Sequence, residues 1–140
     1  MNFTARAALL FGTTVWCLAI VAAPLFHFTP IYLIFSAVCH QLPARSWHIH
    51  GEPLAVCIRC TAIYYGFLAG LLTLSTPSAR WLKIALAITA AEWLFAFVVY
   101  DSEIARALSG VLLGASAAPI VRKGVEEMFA RRVRTAHESM

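Results

Sequence analysis

The chain has 140 residues, of which 61% are hydrophobic and 13% charged, with a formal net charge of +4; its mean hydropathy is +0.76 and its pI near 9.1. A soluble domain keeps roughly a quarter of its residues charged, and one this small has too little interior to bury so much hydrocarbon. The composition therefore excludes an ordinary water-soluble enzyme and predicts an all-α integral membrane bundle. Nucleic-acid binding is excluded too, because the basic residues are few and lack an aromatic platform.

In chain order, the first long apolar run is about Ala7 to Phe26. It has a cationic start at Arg6, and Val21-Ala22-Ala23 resembles a signal-peptide cleavage site. Pro24 would follow the cut and more apolar runs come later, so it is read as a retained helix. Pro30–Val38 is apolar but too short to cross, and is expected to form a re-entrant or interfacial helix covered by protein. Three further spans follow: Cys57 to about Ser75, Trp81 to Tyr100, and Ile104 to Val121. Each spans roughly 18–20 residues, enough for about 30 Å of hydrocarbon at 1.5 Å per residue. The organisation expected is a four-helix transmembrane bundle over 1–121, with a Cys/His loop over about 27–60, and a basic tail over 122–140.

Charge fixes an orientation. With the N-terminus in the cytoplasm and four crossings, Arg6, Arg80, Lys83, Arg122, Lys123, Arg131, Arg132 and Arg134 lie inside, while Arg45, Arg59 and Arg106 lie outside. This distribution agrees with the positive-inside rule. It places a multi-pass protein in the cell membrane, with both termini cytoplasmic and the 27–60 loop extracytoplasmic. In the tail, Val125, Met128, Phe129 and Val133 recur at helical spacing beside arginines. Such a helix suits anionic inner-leaflet lipids; a simply solvated tail is the alternative.

The chemistry concentrates between Ser36 and Cys60. Three of the four cysteines (Cys39, Cys57, Cys60) and three of the five histidines (His40, His48, His50) fall there. Cys57 and Cys60 open a helix three residues apart, which puts their sulfurs on one face. A helix N-terminus and the nearby Arg59 both favour thiolate, the form that binds metal and attacks disulfides.

The order Cys39-His40-Gln41, then Pro43-x-Arg45-Ser46, Gly51 and Cys57-x-Arg59-Cys60, leading into Tyr64-x-Gly66-x-x-x-Gly70, resembles a family of bacterial and archaeal membrane proteins. That family is designated domain of unknown function 2085. Its pattern has Gly where this chain has Ala62. The resemblance implies an arrangement of residues and no particular activity.

Three functions fit these residues. In the first, Cys39, Cys57 and Cys60 with His40 form a Cys₃His set for tetrahedral zinc, which iron or copper could also occupy. A Cys-His dipeptide seldom ligates through both side chains, so His48 or His50 can stand as fourth ligand with His40 behind the site. In the second, an outward Cys57-x-x-Cys60 carries out thiol–disulfide exchange coupled to the membrane, with Cys39 the one loop cysteine left as shuttle. The third is a non-catalytic scaffold. Gly66/Gly70 and Gly110/Gly114 have the spacing that lets helices approach closely, either within the chain or in a homodimer or a complex with a membrane partner.

Single residues complete the reading. Glu92 lies inside the third span, where a carboxylate is costly; it is expected either to handle protons or to bond Tyr64 or Thr61. Arg59 and Arg106 are expected to snorkel from outer helix ends. Trp47, Trp81 and Tyr100 are expected at the interfaces. Cys17 is expected to be a small buried hydrophobe, and His27 has no evident partner. The topology is directly testable. A reporter fused after Met140 should be active only in the cytoplasm, and a tag inserted near Glu52 should be reachable from outside; an extracytoplasmic C-terminus would overturn the orientation.

Overall fold

A computed structural model of the protein describes residues 3–73, 76, 78–99 and 102–138. Five α-helices appear among them: α1 (Phe3–Leu25), α2 (Thr29–Ser36), α3 (Ile58–Leu72), α4 (Ala79–Val98) and α5 (Glu103–Glu138). Between α2 and α3 the chain makes a 3₁₀ turn at Pro43–Arg45 and a small antiparallel hairpin, β1 (His48–Ile49) with β2 (Glu52–Pro53). The hairpin is the one departure from an all-α fold among the described residues. His50 and Gly51 turn it, both with positive φ (52° and 88°); glycine takes that conformation without steric cost.

Three helices are long and apolar enough to cross a membrane, within Thr4–Leu25, Ala79–Val98 and Glu103–Arg131. The expected second span is shorter than its sequence suggested. α3 stops at Leu72, where Thr73 turns extended and its hydroxyl bonds the Gly70 carbonyl at 2.9 Å. Fifteen helical residues reach about 22 Å, short of a typical hydrocarbon core of about 30 Å. The expected end at Ser75 lies outside the described residues, as does Tyr100. α5 runs unbroken through Pro119 and across Val121–Arg122, so the basic tail continues the last span as one helix. The side chains of Arg132, Val133 and Arg134 lie outside the described part.

Lipid-facing character is plain on α4. Only 6% of its apolar window is buried, and Phe97 and Val98 are 84% and 77% exposed. Among the described residues nothing covers that surface, and apolar area of this extent is stable only against lipid or another apolar phase.

α3 is held against α5 by its glycines. A Cβ on Gly66 would meet the Val111 carbonyl oxygen at 2.5 Å, and one on Gly70 would meet the Ala115 carbonyl oxygen at 2.7 Å. From the other side, a Cβ on Gly110 would meet the Arg59 carbonyl oxygen at 2.8 Å, and one on Gly114 would strike the Ile63 carbonyl oxygen. Both small-residue motifs thus pack α3 against α5, the use within the chain that their spacing allowed. Such backbone approach is how helices associate in lipid, where no hydrophobic effect drives them together.

A second cluster forms where α1 meets the loop. Ile20 and Ala23 of α1 pack with Phe35, Cys39 and Leu54–Val56, and Trp16, Cys57, Cys60 and Tyr64 lie against them. Trp16 meets Phe35 edge-on, with centroids 4.7 Å apart, and Tyr64 likewise at 5.8 Å. Cys17 is buried in α1, as expected of a small hydrophobe. Trp47 and Trp81 are exposed.

The glycine contacts give a controlled test. Gly66→Ala or Gly114→Ala must push backbone from backbone, and each is expected to lower stability by about 1–3 kcal/mol. Gly12→Ala and Gly124→Ala, which meet nothing within 4 Å, should leave it unchanged. Thermal melting in detergent would compare the four; equal melting of both pairs would refute the close approach.

Candidate metal centre

The site is built by bringing the end of α2 to the start of α3. α2 ends at Ser36, with the Cys39 N–H bonded to the Phe35 carbonyl at 2.9 Å. Gln41 then turns the chain with φ +50°, a left-handed conformation uncommon for a residue with a Cβ. Its side-chain amide repays the strain by donating to two main-chain carbonyls, Tyr32 at 2.7 Å and Ala55 at 2.8 Å. One side chain thereby ties α2 to the segment entering α3. The Tyr32 hydroxyl adds a bond to the Pro53 carbonyl at 2.6 Å, fixing the hairpin to the same helix.

This clamp assembles the three sulfurs. The Sγ atoms of Cys39, Cys57 and Cys60 all lie within 4.8 Å of one another, and all three cysteines are free thiols. Cys39 is buried. Its sulfur accepts the Cys57 N–H at 3.3 Å and the Gln41 N–H at 3.5 Å. Cys57 is the N-cap of α3, just outside the helix. A hydrogen bond from the Cys60 side chain, with help from the Cys60 and Arg59 backbone, pulls the Cys57 thiol down to about 5, against burial, which pushes it up. A thiolate is therefore expected at neutral pH, as the helix N-terminus predicts.

The histidines are placed differently from the sulfurs. His40 is exposed and lines a pocket of about 380 Å³ beside the cluster, together with Cys39, Gln41, Arg45, Cys57, Arg59, Cys60 and Arg106. His48 and His50 lie on and at the turn of the exposed hairpin. Among the described residues, the group that brings metal-binding atoms together contains the three cysteines and none of the histidines. Of the two histidines expected as a fourth ligand, His40 lines the same pocket as the three sulfurs, while His48 stands on the hairpin outside that lining.

The charged residues also differ from expectation. Glu92, on α4, bonds Arg59 through Oε2, and Ser109 Oγ of α5 lies 3.4 Å from the same oxygen. Its partner is neither Tyr64 nor Thr61; the Thr61 hydroxyl instead bonds the Val56 carbonyl. Arg59 does not snorkel outward but turns into the bundle, and Arg106 is 6% exposed. The ion pair joins α4 to the Cys57-x-Arg59-Cys60 turn. A lone carboxylate in a span calls for a cation at its own depth, and Arg59 and Arg106 at the same end of the bundle were the sequence signal for it. The role of Gln41 carried no such signal, since a loop glutamine is ordinarily solvated.

The chain belongs to the family described as predicted membrane protein, DUF2085, which matches residues 39–120. It is also 48% identical over 42 residues to an uncharacterised protein of Methanocaldococcus jannaschii. That stretch is 30% of this chain and 27% of the relative, so the chain covers about a quarter of the relative's length. No solved structure matches.

The ion pair predicts a strong asymmetry. Glu92→Leu leaves Arg59 as an uncompensated charge in a mostly buried place and should cost about 3 kcal/mol. Adding Arg59→Leu should recover much of that loss. The double-mutant cycle is read from thermal or denaturant unfolding in detergent; additive losses would show that the two side chains do not interact.

Proposed function

We propose that this member of the family is a multi-pass membrane protein whose Cys39, Cys57 and Cys60 hold a transition metal, zinc before iron or copper, at one face of the bilayer. The observation that carries the reading is the convergence of three free thiols, from two separate segments, within 4.8 Å. Zn–S bonds of about 2.3 Å in a tetrahedral site imply sulfur–sulfur edges of roughly 3.8 Å, which the three side chains reach by small rotations. The N–H groups that donate to Cys39 support a charged, ligating sulfur by hydrogen bonding from behind.

A metal here has a structural role. It would lock the end of the eight-residue α2 to the N-terminus of α3, reinforcing what Gln41 does by hydrogen bonds. With three protein ligands, water or the nearby His40, which lines the same pocket, could complete the shell. In membrane terms, α1, α4 and α5 cross, and α3 makes the remaining passage as a short helix in a locally thinned or protein-covered region. That gives four passages, with both termini cytoplasmic and the cluster extracytoplasmic, as the charge distribution asks.

Thiol–disulfide exchange is the second reading, favoured by the lowered Cys57 thiol beside Cys60. The third sulfur, buried and hydrogen-bonded into the same cluster, gives the metal reading its advantage.

Metal analysis separates the two. Protein purified in detergent should carry close to one equivalent of metal per chain. Cys39→Ser, Cys57→Ser and Cys60→Ser should each remove most of it, and double variants should lose little more. His48→Ala should leave occupancy unchanged, and His40→Ala should weaken affinity by about 10–100-fold at most. Protein that purifies metal-free, with a Cys57–Cys60 disulfide opened by reductant and labelling indifferent to chelator, would overturn the metal reading in favour of exchange.

A further inference from the structure

α1, α3 and α5 leave between them a cavity of about 400 Å³, separate from the one beside the cysteines. Gly12, Thr13 and Trp16 of α1 line it, with Tyr64 and Phe67 of α3 and residues of α5. At Gly12 an added Cβ would meet nothing within 4 Å, so this residue keeps the space open. Thr13 lies near the middle of the apolar span Thr4–Leu25, and Tyr64 is about two turns along α3 from Cys57. The cavity therefore sits at hydrocarbon depth, where water does not satisfy polar groups.

Its wall is mostly apolar, yet it carries hydroxyl groups that the protein leaves without acceptors. Tyr32 and Tyr65 each donate to a main-chain carbonyl, and Thr89 and Ser116 return their hydroxyls to carbonyls of their own helices. The Tyr64 and Thr13 hydroxyls make no such bond among the described residues. The Trp16 indole N–H is buried with no acceptor at hydrogen-bond distance, and the Tyr64 oxygen is the group it interacts with. An N–H on that side of the phenol leaves the phenolic O–H to donate elsewhere. A donor without an acceptor is costly in an apolar medium. Two such hydroxyls at one cavity call for an acceptor that a ligand brings.

The geometry points to a binding site for a lipid-soluble quinone in this cavity. A quinone is a flat, apolar ring that carries carbonyl acceptors, so it answers both properties of the wall. One carbonyl accepts from the Tyr64 hydroxyl, with the Thr13 hydroxyl as a second donor, and the ring packs among Trp16, Tyr64 and Phe67. The volume falls in the range of small-ligand pockets, which are lined by apolar groups with a few orienting polar ones. The cavity is open on one side, which lets an isoprenoid tail run into lipid. A phospholipid acyl chain would fill the apolar space but brings no acceptor at this depth, since its ester carbonyls stay near the headgroups. Tyr64 follows Cys60 by one helical turn and packs against the same core, so the site adjoins the cysteine cluster from within the bilayer. It does not depend on what the three sulfurs hold.

The test uses full-length protein, delipidated in a maltoside detergent, with and without chelator treatment. The probe is a tritiated, fully substituted benzoquinone with a decyl chain, which does not alkylate thiolates, and binding is read by scintillation proximity. Saturable binding of one equivalent per chain is expected. Unlabelled quinone should displace it, and decylbenzene, which has the ring and chain without carbonyls, should not. Tyr64→Phe keeps the ring and loses the donor, and should weaken binding about tenfold; Thr13→Val should weaken it about threefold. Gly12→Leu should fill the cavity and abolish binding while thermal melting stays as in wild type. Binding that does not saturate overturns the proposal, and so does equal displacement by decylbenzene, which would mark an acyl-chain groove. Wild-type affinity in both Tyr64→Phe and Thr13→Val overturns it as well. Loss of binding on chelation would place the quinone at the metal and refute this site. Protein that purifies without metal and still binds quinone would sink the metal reading and leave this site standing.

Discussion

The amide of Gln41 donates to the carbonyls of Tyr32 and Ala55, and around this clamp the functional end of the molecule is organised. In an apolar surrounding, an unpaired carbonyl costs far more than in water, so a side chain that satisfies two of them at once is hard to replace. The left-handed turn at Gln41 is the strain that this satisfaction offsets. With the turn in place, Cys39 is delivered to the N-cap of α3, where its sulfur meets the Cys57 N–H. The sulfurs converge because the main chain is held, and a metal would add to an arrangement already formed.

The second support is the α3–α5 contact. Glycines on both helices let carbonyl groups approach to distances that any side chain would block. This places the first turns of α3 and α5 side by side and so puts Arg59 and Arg106 on one cavity. α4 contributes little to burial, yet it supplies Glu92, which ties its C-terminal half to the cysteine turn. Helix packing, ion pair and sulfur cluster therefore meet at one end of the bundle.

Lipid-exposed helices, a short helix before Cys39 and a concentration of cysteines were all legible in the chain, because each rests on a local property; the covering expected over that short helix is limited to Phe35, with Leu33 and Ile34 exposed. Long apolar runs need no knowledge of partners, and Cys-x-x-Cys at a helix start places two sulfurs together by helical geometry alone. Cys39 joined them by composition, and the distance agrees with that expectation. The histidines divide: His40 lines the pocket beside the sulfurs and His48 stands on the hairpin, since nearness in sequence says nothing about which way a hairpin faces. Glu92 was recognised as anomalous by its setting, but its partner was misassigned: which cation lies at its depth depends on the rotation of α3 against α4.

The sequence by itself determined that this chain lives in a bilayer, belongs with the DUF2085 membrane proteins and carries a cysteine pair at a helix start, because hydropathy and motif spacing act within a few residues. Only the tertiary structure decided the rest. It shortened α3, turned the glycines inward, set His48 on a hairpin, paired Arg59 with Glu92 and gave Gln41 its work. Each of these depends on where two distant segments meet, and such meetings are set by packing and by the need to satisfy every buried polar group, which no local pattern encodes.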